Sequence, residues 1–199
     1  MLTLQIDPYI TQILVRIIIL FLLMGVVCWL MNKNYQNKMN ARSERLQKEY
    51  AILTPKKIEE ANDTDLVDIV IANLHGKLDE HNPAPFYTIP TLSPERFSLY
   101  SVWVIHNELT HGNFSDLLSS PSKNFLEQAV TGCKEIGAEK CADALQEALE
   151  HTDDENALAD CHLHYMEAIA KEEPLTLCVS YIRSHVDAFI DQEDEPETE

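Results

Sequence analysis

The run Ile17 to Met31, IIILFLLMGVVCWLM, constrains this chain more than any other feature, because fifteen residues pass with no polar side chain other than Cys28. Ile10, Ile13, Leu14 and Val15 extend it toward the N-terminus. Residues 10–31 are then long enough to cross a hydrocarbon core of about 30 Å, for which about 20 residues suffice. The pattern predicts one transmembrane helix. Arg16 interrupts the run close to one end, where a long side chain can reach the headgroups at lower cost than at the centre. Tyr9, Trp29 and Tyr35 stand where interfacial aromatics are expected. No basic region precedes the apolar core and no Ala-x-Ala follows it, which disfavours a cleaved signal peptide. Lys33, Lys38, Arg42, Arg45 and Lys48 all follow the span, whereas only Arg16 lies near its other end. The positive-inside rule therefore sets residues 1–9 outside an inner membrane and the rest of the chain in the cytoplasm.

After the span, residues 32–62 read as a polar stalk and linker, rich in helix formers up to Pro55. Asp63 and Thr64 are candidate caps for a helix in which Leu66, Val67, Val70, Ile71, Leu74 and Leu78 recur at helical spacing. Residues 82–94, NPAPFYTIPTLSP, hold four of the nine prolines and read as a connector. Ser93-Pro94 then opens a helix ending near His111-Gly112, with Phe97, Tyr100, Trp103 and Val104 on one face. A short helical turn at 114–118 comes next. Pro121 opens a further helix with Phe125, Leu126, Ala129, Val130, Cys133 and Ile136 inward, and Gly137 stops it. Three more amphipathic helices are predicted over 138–150, 155–171 and 174–190, followed by an acidic tail, 191–199, with the composition of a disordered segment. With only five glycines and little β-branched alternation, the expected class is all-α: one transmembrane helix, then one compact multi-helix domain over 63–190.

Charge is split unevenly. Residues 1–50 carry six basic against three acidic groups, which leaves nine basic and thirty acidic residues after position 50, a formal −21 out of the chain's −18. Such a domain repels nucleic acid and attracts basic proteins, so no direct nucleic-acid binding is expected. Glu139, Asp143, Glu147 and Glu150 form a ridge at helical spacing, the candidate interaction surface. A merely solubilising acidity is the plainer alternative. The five cysteines show no paired spacing and read as free thiols of a reducing compartment.

No phosphate cradle, dinucleotide fingerprint or spaced nucleophile and base occurs, so no cofactor and no catalytic residue is expected. His106, Glu108 and His111 fall short of a metalloprotease helix, since the histidines are five apart, about 140° round the helix. They remain the site of the alternative reading, a hydrolase; a purely structural membrane scaffold is the third. Cys161, His162 and His164 supply at most half a zinc site, and Cys161 lies on an apolar stripe, so no metal is expected.

The segments IHNELTHGNFSDLLSS and FLEQAVTGCKEIGAEKCADALQEALE resemble the helical domain of the DNA-mimic protein family, a widespread bacterial group of largely unassigned function. Glu108, Gly112 and Phe114 match its first element, Ile136, Gly137 and Ala138 its second, and Tyr181-Ile182-Arg183 with Phe189 its closing helix; these motifs are mainly structural in character. His111 and Asn113 replace an Asn and a Gly of the family's turn. The resemblance covers about residues 64–190 and implies an all-helical fold and, for some relatives, binding to a transcription factor in place of DNA. It implies no enzyme. The sequence thus leads to a membrane-anchored acidic interaction domain for a basic, DNA-binding or toxin-like protein surface, with partner and oligomeric state open.

Overall fold

The structure, a computed structural model, describes residues 8–78 and 85–191. It divides into two compact units, residues 1–45 and 46–199. The first is carried by helix α1, Pro8–Glu49. Most of its side chains up to position 40 lie outside the described residues, among them those of 10–16, Cys28 and Tyr35. The described large apolar ones from Ile17 to Met31 are all exposed, 43% to 69%, and Lys33 Nζ lies 5.2 Å from the Trp29 ring centre. Among the described residues, no helix is long and apolar enough to cross a membrane. The expected transmembrane helix over 10–31 is therefore not supported as a feature of the fold. The helix also continues without a break past Met31.

The second unit is all-helical among its described residues: α2 Pro55–Glu60, α3 Asp63–Gly76, α4 Pro85–Thr88 with a 3-10 turn at Ile89–Thr91, α5 Pro94–His111, α6 Phe114–Ser119, a second 3-10 turn at Pro121–Phe125, α7 Leu126–Glu135, α8 Glu139–Glu150, α9 Glu155–Glu172, α10 Pro174–Ser184 and α11 Val186–Phe189. Helix starts follow local chemistry. Thr54, Ser93, Asn113 and Asp154 each accept a backbone N–H of the first turn, and Pro55, Pro94 and Pro174 occupy first-turn positions where no N–H is missed. α8 lacks a cap of its own; Glu172, at the end of α9, accepts from Lys140 N and Cys141 N at 3.0 Å each. Burial pushes the Glu172 carboxyl up, but these two N–H groups, with the Cys141 thiol and the Lys140 charge, hold it below its ordinary value.

α5 packs on α7, α7 on α8 and α8 on α9, while α10 lies on α3 and α11 on α5 and α2. The α5–α7 contact is close at Gly132, where a Cβ would meet Ser98 O and a Val102 methyl at 2.8 Å. Two arginines close the fold by binding helix C-termini, whose last carbonyls lack intrahelical donors. Arg183 donates to Ile58 O and Glu59 O and, at 2.7 Å, to both Ala61 O and Asp63. Arg96, only 6% exposed, donates to the carbonyls of Ala188, Phe189 and Ile190 and to Asp191 Oδ1.

Four expected boundaries move. The 32–62 stalk ends earlier, because Leu46, Leu53, Ile58 and Ala61 are buried in the domain core. Their polar sequence context hid them. The 82–94 connector is in part structured: 79–84 lie outside the described residues, but Ile89 is fully buried. Helix 174–190 breaks at His185, which leaves the helical region at φ −128° and ψ 38°; its N–H still reaches Tyr181 O at 3.1 Å, and the Ser184 hydroxyl and the His185 ring compete for that same carbonyl. The tail, finally, does not begin at 191. Asp191 exchanges backbone and side-chain bonds with Leu53, at 2.8 and 2.9 Å, and accepts from Asn73 at 2.8 Å, Lys77 at 2.8 Å and Arg96 at 2.9 Å. Residues 192–199 lie outside the described residues.

Candidate functional site

The α8 ridge is on the surface. Glu139, Asp143, Glu147 and Glu150 are all exposed, while Cys141, Ala142, Leu145 and Ala148 on the opposite face are buried. Between α8 and α9 runs a groove of about 310 Å3 lined by Lys140, Asp143, Glu147, His164, Glu167 and Lys171. His164 Nδ1 lies 3.2 Å from Glu147, and Lys171 Nζ 3.4 Å from Glu167. Both pairs are exposed and of small energetic weight. Among the described residues, Glu139, Asp143 and Glu150 have no cation within ion-pair distance. The loop to α9 and its first turn add Asp153, Asp154 and Glu155, also exposed.

The residues that carry the family resemblance divide into two kinds. Ile136-Gly137-Ala138 is a helix stop. Gly137 has φ +84°, its N–H bonds to Lys134 O and that of Ala138 to Cys133 O at 2.7 Å, and Ala138 and Cys133 are buried together. This is the bonding that ends a helix through a left-handed residue, so the role of the triplet is structural. Phe114 is likewise core, fully buried with its ring edge-on to Tyr165 and His162.

Glu108 and Gly112 instead line a cavity of about 560 Å3, together with Trp103, Val104, Asn107, His111, Asp116 and Ser122. The Ser122 hydroxyl donates to Glu108 Oε1 at 2.7 Å, and Asn113 Nδ2 to Asp116 Oδ2 at 2.7 Å. The Gly112 N–H closes α5 on Glu108 O at 2.8 Å. A Cβ at Gly112 would stand 3.2 Å from that oxygen and 3.4 Å from Asp116 Oδ2. Gly112 thus keeps the approach between the end of α5 and the start of α6 open by its size; its φ of −140° is not left-handed.

His106, Glu108 and His111 do not share one cavity. His106 lines a separate, more apolar depression of about 400 Å3 with Met166, Ile169, Ala170 and Leu175. Its Nδ1 is buried without a hydrogen-bond partner, and burial, then the nearby His111, lowers its pKa. Cys161 is buried and His164 points outward to Glu147, so the two diverge; no group of three His, Cys, Asp or Glu among the described residues is placed to hold a metal ion. Cys133, Cys141, Cys161 and Cys178 are free and buried. Burial pushes the Cys133 and Cys178 thiols up to about 12, far from the thiolate that reactive cysteines need. Gly132, which sets the α5–α7 approach, escaped the sequence reading, because a glycine inside a helical pattern looks like any tolerated glycine; its only signal was its position on the apolar face beside Val130 and Cys133.

A family model described as DMP19-like protein matches residues 90–197, from just before α5 to beyond α11, more than half of the chain. The chain belongs to the DMP19-like protein family. No curated protein and no solved structure matches it.

Proposed function

We propose that this DMP19-like domain is an acidic interaction module, held at a membrane by α1, that captures the basic surface of another protein in the place a nucleic acid would take. One observation carries the binding part: the α8 carboxylates Glu139, Asp143, Glu147 and Glu150 are exposed in a row on a rigid helix backed by core, not scattered on loops. A cationic surface meets such a row without waiting for side chains to be ordered on flexible chain. The anchor rests on the sequence of residues 10–31 together with the exposed apolar side chains of Ile17–Met31. At 100° per residue these fall round the whole circumference, which suits lipid better than one-sided packing on protein. Basic residues after Met31 favour a cytoplasmic domain and an outside N-terminus. Binding is favoured over hydrolysis because His106 opens into a different cavity from Glu108 and His111.

The test is co-purification of the full chain from native membranes beside a variant carrying Glu139→Gln, Asp143→Asn, Glu147→Gln and Glu150→Gln. Basic proteins should be enriched by the parent and lost from the variant and from the parent at high salt. A partner set that is neither basic nor sensitive to these changes refutes the reading. A C-terminal reporter active only when exported refutes the orientation.

A further inference from the structure

We propose that the cavity between the end of α5 and α6 is a receptor for a single arginine side chain of the basic partner, with Trp103, Glu108 and Asp116 as its recognition residues. The inference rests on the interaction reading above and names the contact that would give it register.

The polar groups lining the cavity are mostly acceptors. Ser122 spends its hydroxyl proton on Glu108, and Asn107 spends one amide N–H on Trp103 O at 2.9 Å, which leaves its side-chain oxygen as an acceptor beside its second N–H. His111 Nδ1 sits 2.9 Å from Asn107 O, a group that only accepts, so Nδ1–H donates there and is spent. To these are added the Glu108 and Asp116 carboxylates, neither paired with a cation among the described residues. No lysine or arginine lines the cavity. Such a wall is complementary to a ligand with many donors and no acceptor, which describes the five N–H groups of a guanidinium.

Trp103 narrows the choice. It lines the cavity half-buried, and its indole is held edge-on against His75 at 5.6 Å and tilted against Tyr100 at 5.9 Å, so it is a fixed plane. A planar guanidinium stacks on such a face and can still present its fork to a carboxylate, whereas a lysine ammonium can do only one of these well. The absent Cβ of Gly112 leaves the end of α5 open beside the Asp116 carboxylate and the Glu108 carbonyl.

The experiment uses the full chain in a mild detergent with Trp29→Phe, so that Trp103 is the only indole. Blocked Gly-Arg-Gly is titrated against its lysine and citrulline counterparts and free arginine, with fluorescence as the readout. The arginine peptide should change Trp103 emission saturably, with lysine about tenfold weaker and uncharged citrulline giving no saturable change. Glu108→Gln and Asp116→Asn, which keep shape and an acceptor oxygen, should each weaken binding several-fold without moving the melting temperature. Citrulline binding as well as arginine, or arginine binding unchanged in both variants, overturns the proposal. Free arginine binding more tightly than the peptide overturns a protein source. If partner capture survives both variants while the peptide fails to bind, the cavity inference falls alone; if the peptide binds and no basic partner does, the interaction reading falls and the cavity stands.

Discussion

Replacing Asp191 should damage the domain more than any other surface carboxylate, although the residue sits at the start of an acidic tail. Burial raises its pKa, but bonds from Lys77, the Leu53 N–H, Asn73 and Arg96 overcome this and hold the carboxyl at about 2, against 3.8 ordinarily. At 1.36 kcal/mol per unit the shift has a ceiling of about 2.5 kcal/mol, and solvent screening at a partly exposed group reduces it to about 1–2 kcal/mol. Asp191→Asn should cost that much near neutral pH. Asp191→Ala also leaves the Leu53 N–H unpaired and the buried Arg96 without its anion, so about 2–4 kcal/mol is expected. That corresponds to a fall in melting temperature of about 5–15 °C for a domain of this size. The sign with pH is fixed by the depressed pKa. The carboxylate's contribution is whole above its unfolded value of 3.8 and disappears as pH falls through about 2, so the gap between parent and Asp191→Asn should close over that window. The assay is thermal unfolding by circular dichroism of the full chain in mild detergent. An Asp191→Ala variant melting with the parent at neutral pH, or a gap that persists undiminished below the window, refutes the reasoning.

Gly132→Ala should destabilise by about 1–3 kcal/mol, since the new methyl meets backbone Ser98 O at 2.8 Å and α5 must move; an unchanged denaturation midpoint would contradict that close approach. Gly137→Ala should cost about 1 kcal/mol from its left-handed conformation alone, with open space around the added carbon, and Gly137→Asn less than that, as a melting series would show. Phe114→Ala empties a fully buried site beside Tyr165 and should cost about 3–5 kcal/mol in denaturant titration. A fragment beginning at Ile52 should be less stable than one beginning at Leu46, because it loses the buried Leu46 and the Tyr50 and Ala51 carbonyls that Asn73 donates to at 2.9 and 3.2 Å.

The helices most legible in the sequence were those with both a period and a punctuation mark. Ser93-Pro94 and Gly112 bracket α5, and Pro121 and Gly137 bracket the 3-10 turn and α7; the structure agrees within a residue or two. The misjudged segments at 46–62 and 185–191 share a cause. Each contributes only a few scattered apolar anchors, Leu46, Leu53, Ile58 and Ala61 or Phe189, within polar or short stretches too brief for a period to emerge. What fixes them is long-range: Arg183 on the end of α2, Arg96 on the end of α11, and Asp191 on Leu53, each more than 90 residues away in sequence. A buried arginine on a helix face gives no local sign of which carbonyls it will serve. The candidate sites divide in the same way. The α8 ridge follows from i,i+4 and i,i+3 spacing alone, whereas the cavity around Glu108 needs Ser122 and Asp116, which reach it only through the turns at either end of α6.

Spacing also limits what the ridge can do by itself. Four carboxylates between Glu139 and Glu150 are set about 5.5 Å apart along the helix axis, at 1.5 Å per residue, against one phosphate per about 3.4 Å along a nucleic-acid strand. Glu147 is further offset by His164 whenever that ring is protonated. One helix therefore offers little more than half the linear charge of the strand it would imitate. With a Debye length of about 8 Å at physiological salt, such a row attracts cations over short range but does not by itself fix one register of the partner over another. Selectivity has to come from a contact that is directional and desolvated, and among the described residues an acceptor-lined cavity with a fixed aromatic wall is the feature with that character. On this division the ridge sets the encounter rate and its salt dependence, and the cavity sets the dissociation rate. Neutralising Asp143 and Glu150 should then slow association with little change in dissociation, while Glu108→Gln should do the reverse. Surface-plasmon kinetics on a captured basic partner separate the two, and equal effects of both changes on the association rate would leave the domain as a diffuse acidic surface without a specific receptor.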